Sequence, residues 1–206
     1  MVKLEFRDQN LLYSYFFLVF ISAIVLFLRN PIPFIREDIW AEDGREYLAG
    51  IINYGFWKAL YLNFLDKGYM QFFKFLVAAL CLEINRFFFN ENILIVPKIV
   101  AIISYLIYAF IFCLPLLLFY SKIKIKYLIA IIISNCFINI GLLDHFLVFG
   151  RILNFGFLSI YFCFLLVGDR ILFFDKHSKI SLFAIDLLIF LCIITQPINI
   201  LLLLFI

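Results

Sequence analysis

The sequence predicts an all-α protein: a polytopic transmembrane helical bundle with short amphipathic interfacial helices in its first outer loop. Apolar residues make up 67% of the 206-residue chain, charged residues make up 15%, and the mean hydropathy is +1.11. Soluble domains carry roughly 45–50% apolar and about 25% charged residues. Since no stretch has the mixed polarity of a globular domain, residues 1–206 are predicted to form a single transmembrane domain.

The charge pattern, the motifs and the cysteines exclude several classes of protein. A formal net charge of +3, with basic residues scattered along loops, argues against nucleic-acid binding. The absence of P-loop, G-x-G-x-x-G and H-E-x-x-H motifs disfavours soluble nucleotide handling and zinc hydrolysis. The five cysteines lie inside apolar runs without C-x-x-C spacing and are predicted to be small apolar helix residues: Cys81, Cys113, Cys136, Cys163 and Cys192.

Six apolar runs are candidate spans: residues 11–28, 69–82, 93–120, 127–143, 152–167 and 180–206. At about 1.5 Å per residue, the first run is about 27 Å long and nearly spans the hydrocarbon core. No small-x-small cleavage site separates it from Arg29 and Pro31. It is therefore predicted to be a retained signal anchor rather than a cleaved signal peptide.

The basic residues predict an orientation for these spans, with one conflict. A short basic N-terminus predicts that residues 29–68 lie outside the cytoplasm, and the basic linkers 122–126 and 170–179 should lie inside, with residues 144–151 outside. Simple counting of six spans instead puts residues 122–126 outside. Three alternatives remain: segment 69–82 is re-entrant, the outer loop hides another crossing, or the three lysines break the rule.

The polar outer loop, residues 29–68, holds five basic and six acidic residues. Asp43 and Glu46 have the spacing of a capping box, with Asp43 as the N-cap. Apolar residues follow at helical spacing, interrupted by Gly50 and Gly55. This pattern predicts short amphipathic helices that lie on the membrane surface, with Asp43 at the lipid boundary.

Several charged residues are candidates for chemistry, and each has a structural alternative. Glu42 and Asp43 are candidate general bases, whereas the alternative is a helix cap with a solvated neighbour. Lys74 lies in an apolar segment, where it either holds a phosphate or extends to the membrane interface. Arg151 belongs to a polar group that either lines an outer cavity or forms a solvated loop: Asp144, His145, Arg151 and Asn154.

One stretch carries a resemblance to a known family. Residues 40–44 read Trp-Ala-Glu-Asp-Gly, and they are followed by the glycine-punctuated segment, by Gly-Tyr-Met at 68–70 and by Leu-Val-Ala-Ala-Leu at 76–80. This order resembles bacterial polytopic proteins of the C-type glycosyltransferase (GT-C) fold, and most of all a W-A-E-D-G branch. The resemblance is best over residues 39–80. It departs at Gln71, where the branch has histidine, and at Lys74 and Phe75, where it has a proline-arginine pair.

The resemblance implies a membrane glycosyltransferase of the bacterial cytoplasmic membrane, or the N-terminal part of one, acting in cell-envelope polysaccharide synthesis. Its donor would be a sugar on a polyprenyl phosphate. Asp43, with Glu42 beside it, would act as the base or bind a divalent metal; no other cofactor is expected. The phosphate would lie near Arg45, Lys74 or Arg151.

Because family members are longer, the resemblance also implies a missing C-terminal half: the chain would be either a truncated gene product or one part of a split enzyme, with a partner chain supplying the missing half. The alternative function is a non-catalytic membrane protein: a subunit, a carrier of lipid-linked intermediates or an inactive fragment.

Overall fold

The computed structural model describes residues 6–36, 43–137 and 155–205, and every regular element in these ranges is helical. The α-helices are α1 (Phe6–Arg29), α2 (Ile32–Ile35), α3 (Ala49–Tyr54), α4 (Phe56–Lys67), α5 (Phe72–Phe89), α6 (Val96–Phe119), α7 (Ile125–Phe137), α8 (Phe155–Phe173) and α9 (Lys179–Thr195). A π-helix covers Asp43–Leu48, and 3₁₀ helices cover Ile93–Ile95, Phe174–Lys176 and Pro197–Phe205. The predicted all-α class is confirmed for these residues.

Three of the described helical segments are long and apolar enough to cross a membrane: Asn10–Arg29, Ile93–Phe119 and Phe155–Phe173. The prediction of six spans is therefore met only in part. Helix α5 extends past the predicted end at residue 82 and carries Lys74, Glu83 and Arg86, so that it is not among the three. Helices α7 and α9 are shorter, and the predicted runs 127–143 and 152–167 reach into residues outside the described ranges.

Helix α6 lies at the centre of the hydrophobic core and packs against α1, α5, α7 and α8. At one contact the Tyr105 hydroxyl donates a 2.6 Å hydrogen bond to the carbonyl oxygen of Asn30, just after α1. The Arg29 guanidinium donates to the carbonyl oxygen of Cys136 near the end of α7. The five cysteines are buried and free, as the sequence predicts.

The two basic turns of the chain lie at the same end of the bundle. Helix α8 runs in the same direction as α6, because Phe155 contacts Tyr108 while Phe173 stacks on Phe119 with ring centroids 6.4 Å apart. Lys122, in the turn after α6, places its Nζ 5.8 Å from the centre of the Phe173 ring. Residues 120–124 and 174–178 therefore form one basic end, which agrees with the prediction that both turns face the same compartment.

The outer loop folds into helices, as predicted. Gly55 ends α3 and Gly68 ends α4, and both adopt a positive φ that favours glycine. Helix α4 buries Ala59 and Leu60 against the bundle, whereas Trp57 on another face is 74% exposed. This distribution, with large apolar side chains on the outer face, is typical of an interfacial helix.

Candidate functional site

Asp43 is the first described residue of the π-helix and points into the protein, where it is only 1% exposed. Tyr47 on the same π-helix is fully buried, while Arg45 between them is exposed. The carboxylate of Glu46, predicted to complete a capping box, accepts a 3.2 Å hydrogen bond from the Lys67 ammonium. Single π-helical turns occur frequently at functional sites, because they rotate side chains away from regular helical positions.

Lys74, in the first turn of α5, meets the π-helix inside the protein. Its side chain is 5% exposed, so that it does not extend to the interface as one alternative predicted. The Lys74 Nζ donates a 3.3 Å hydrogen bond to the Tyr47 hydroxyl and lies 5.7 Å from the centre of that ring. The stem packs against Gly156 at the start of α8, where an added Cβ would lie 3.5 Å from the Lys74 Cε.

A chain of side-chain hydrogen bonds continues from Lys74 toward the surface. The Tyr47 hydroxyl donates to the Gln71 Oε1 at 2.6 Å, and the Gln71 Nε2 donates to the Tyr69 hydroxyl at 3.0 Å. Gln71 is 3% exposed, whereas Tyr69 is partly exposed. We call Asp43, Tyr47, Tyr69, Gln71 and Lys74 the polar cluster.

Burial and the acidic neighbours have opposite effects on the pKa of Lys74. Burial lowers the pKa of Lys74 to about 8, because an ammonium loses hydration in the protein. Asp43 and, more weakly, Glu46 act in the opposite direction, whereas the nearby Lys67 lowers the pKa further. The cluster therefore holds a carboxylate and an ammonium that attract each other where little water reaches either.

The polar cluster lies where α8 begins and α9 ends, away from the basic turns and level with the middle of α6. The backbone N–H of Phe73 donates to the Thr195 Oγ1 at 3.3 Å, which places the start of α5 beside the end of α9. Gln196, just past that end, lies beside Gly156, against which Lys74 packs. Since α8 begins and α9 ends here, the cluster and the basic turns are separated by the length of these helices.

An apolar cavity of about 200 Å³ adjoins the cluster between α5, α6 and α8. Phe73, next to Lys74 in the chain, lines it together with Phe155 and Phe162 of α8. Ser159 brings a hydroxyl to its wall, although this group donates to the carbonyl oxygen of Gly156 at 2.6 Å. None of the five cluster residues lines the cavity; its hydrocarbon surface is connected to the cluster through Phe73 and Phe155, the chain neighbours of Lys74 and Gly156.

Of the predicted site residues, Asp43 and Lys74 are both buried, and the charge of Asp43 acts on Lys74. Arg45 is not part of the cluster: its exposed side chain lines a groove with Glu46 and Asp66. Glu42 and Arg151 lie outside the described residues, as do the other members of the predicted outer polar group, Asp144, His145 and Asn154.

Sequence reasoning missed Tyr47, Tyr69 and Gln71 as site residues. Tyr47 occupies an apolar helical position, where an aromatic residue normally indicates the core. Gln71 precedes Lys74 by three residues, a spacing that places two side chains on one face of a helix. That spacing, in a segment otherwise rich in phenylalanine, is the signal that could have identified Gln71 as a site residue.

The described residues do not fit the divalent metal that the resemblance allows. Nowhere in 6–36, 43–137 and 155–205 do three or more His, Cys, Asp or Glu side chains gather as a metal site. The ammonium of Lys74 also lies close enough to Asp43 to attract it, and would repel a cation there.

No protein-family model, curated protein or solved structure matches the chain.

Proposed function

We propose that the chain is a membrane glycosyltransferase, or the N-terminal part of one, that transfers a sugar from a polyprenyl-phosphate donor to a cell-envelope acceptor. The observation that carries the proposal is the burial of Asp43 and Lys74, with the charge of Asp43 acting on Lys74, in the region where Phe73 and Phe155 line an apolar cavity. A lipid-linked sugar phosphate needs a base, a phosphate partner and hydrocarbon surface in one place. The cluster and the cavity supply these three features together.

In the proposed reaction Asp43 acts as the general base. Its carboxylate takes the proton from the acceptor hydroxyl, whose oxygen attacks the anomeric carbon of the donor sugar. The bond from that carbon to the phosphate oxygen breaks, and the polyprenyl phosphate leaves with the bonding electrons. Attack from the opposite face inverts the configuration at the anomeric carbon.

Lys74 acts on the leaving phosphate in the same scheme. The Lys74 ammonium stabilises the negative charge that develops on the phosphate oxygen. Because Lys74 is buried and little water surrounds it, this attraction is stronger than it would be in solvent. The apolar cavity provides room for part of the prenyl chain. The remainder of the prenyl chain would stay in the bilayer.

The test is the substitution Asp43→Asn, with Asp66→Asn as the matched control. Asp66 lies on α4 with a side chain 72% exposed, so that the control makes the same chemical change in the same loop. Loss of a general base typically lowers turnover about 10²- to 10⁴-fold. We expect Asp43→Asn to show that loss and Asp66→Asn to match the parent in sugar transfer from a polyprenyl-phosphate donor in membranes.

A non-catalytic role is the second candidate, and the closure of the cluster favours it. Asp43 and Lys74 are almost fully buried, and Lys74 is hydrogen-bonded to Tyr47, as expected of side chains that hold the π-helix against α5. Under this alternative Asp43→Asn would lower the thermal stability of the purified protein. Transfer within a few-fold of the parent would reject the catalytic role of Asp43.

A further inference from the structure

The Tyr69 hydroxyl is at the outer end of the hydrogen-bond chain and remains available to a ligand. Tyr69 lies in the turn between α4 and α5, after Gly68, and its side chain is partly exposed. Its oxygen accepts from the Gln71 Nε2. Across the described residues, no acceptor is found for the hydroxyl hydrogen of Tyr69.

The charge of Lys74 fixes the direction of every bond in this chain. An ammonium can only donate, so the Tyr47 oxygen accepts from Lys74 while the Tyr47 hydrogen goes to the Gln71 Oε1. The amide oxygen of Gln71 is thereby committed, and its Nε2 is the group that faces the Tyr69 oxygen. A hydroxyl that accepts one hydrogen bond is left with its own hydrogen directed elsewhere.

We infer that Tyr69 is a ligand-binding residue whose hydroxyl donates a hydrogen bond to a phosphate oxygen of a lipid-linked phosphate bound at the polar cluster. This inference rests on the proposed function, since it assigns a residue to the same site. The buried chain orders the Tyr69 hydroxyl before the ligand arrives, which reduces the entropy lost on binding. A hydrogen bond to a charged acceptor is also stronger than one between neutral groups.

The test compares Tyr69→Phe with Tyr61→Phe. Tyr61 on α4 is 56% exposed, so that its substitution removes the same hydroxyl from the same loop outside the cluster. Binding of a polyprenyl phosphate to the purified full chain in detergent micelles is measured by thermophoresis, with inorganic phosphate in a parallel series. The Kd for the lipid phosphate should rise about tenfold in Tyr69→Phe, as expected for a lost bond to a charged group, and stay unchanged in Tyr61→Phe.

The outcomes separate this inference from the proposed function. If Tyr69→Phe binds the lipid phosphate more weakly than the parent does, but the parent transfers no sugar, the binding role stands and the transferase proposal fails. If sugar transfer is observed and the Kd is the same within twofold in Tyr69→Phe, the role of Tyr69 is rejected. The inference is also overturned if the parent does not bind the lipid phosphate. It is overturned as well if Tyr69→Phe raises the Kd for inorganic phosphate by the same factor as the Kd for the lipid phosphate.

Discussion

Lys74 and Asp43 illustrate how two buried charges coexist in an apolar bundle. Transfer of an ammonium from water to a protein interior is costly unless opposite charge and hydrogen-bond acceptors replace its hydration. Tyr47 supplies an acceptor at 3.3 Å, and Asp43 supplies the opposing charge. This compensation is incomplete, because burial still lowers the pKa of Lys74 to about 8.

The lowered pKa predicts how the stability of the protein depends on pH. The pKa of Lys74 is about 8 in the folded protein and near the ordinary value of 10.5 in the unfolded chain. Between these values the unfolded chain binds more protons, so the free energy of unfolding rises with pH by up to about 1.4 kcal/mol per unit. We expect the parent to gain stability over Lys74→Met between pH 8 and pH 10.

Thermal unfolding in detergent at a series of pH values measures this gain. The control is Lys58→Met, which removes an exposed lysine of α4. Its stability should follow that of the parent across the series. Identical pH profiles for the parent and Lys74→Met would show that Lys74 does not carry the predicted proton difference.

At the scale of the helix, the sequence predicts the positions of helices better than the contacts between them. The apolar run 93–120 predicts the helical segment Ile93–Phe119 closely, because hydrophobicity and length are local properties. The contact between Tyr47 and Gln71 joins residues that are 24 positions apart, one on the π-helix and the other just before α5. No local pattern contains that pairing, which depends on how the π-helix packs on α5.

The difference between local pattern and packing also explains why Asp43 was predicted as a site residue while its burial was not. The Asp-x-x-Glu spacing indicates a helix start at Asp43, and Asp43 lies in a π-helix directly after residues 37–42, which are outside the described ranges. However, a regular capping box would leave Asp43 at the surface, whereas the π-helix carries it into the core together with Tyr47. The wider turn of a π-helix is not encoded in a simple spacing rule.

The two glycines that bound α4 give a prediction at the same scale. Gly55 has φ 76° and ψ 162°, a region open almost only to glycine, whereas Gly68 has φ 78° and ψ 2°, which asparagine tolerates. An added Cβ meets no atom within 4 Å at either position, so that only backbone strain is tested. Gly55→Ala should cost about 1–3 kcal/mol, and Gly68→Asn should cost much less.

Hydrogen exchange of the α4 amides, followed by mass spectrometry, measures this difference. Strain at the start of the helix should raise the exchange of α4 by roughly fivefold or more in Gly55→Ala, because 1 kcal/mol corresponds to about a fivefold change in an equilibrium. Gly68→Asn provides the control at the other end of the same helix. Equal protection of α4 in the parent and in Gly55→Ala would contradict the strain argument.

For the whole molecule, the arrangement of the helices bears on the conflict in the predicted orientation. The contact of Lys122 with Phe173 puts both basic turns at one end, which agrees with their common prediction as cytoplasmic. The polar cluster lies away from these turns, near Gly156 and Gln196 and level with the middle of α6. Because α5 is not among the three segments able to span, the arrangement favours the first of the three alternatives, a re-entrant segment at α5, which would satisfy the positive-inside rule.

The last prediction concerns this orientation and uses single cysteines in a chain whose five native cysteines are replaced by alanine. Ser121→Cys and Asp175→Cys place a thiol in each basic turn, and Lys58→Cys places one on α4; all three positions are exposed. In intact cells a membrane-impermeant maleimide should modify only Lys58→Cys, because the outer loop is predicted to lie outside the cytoplasm. Permeabilised cells should allow modification of all three, which controls for reactivity. The argument fails if Ser121→Cys and Asp175→Cys react from opposite sides of the membrane, since the stacking of Phe119 on Phe173 requires both turns at one end of the bundle.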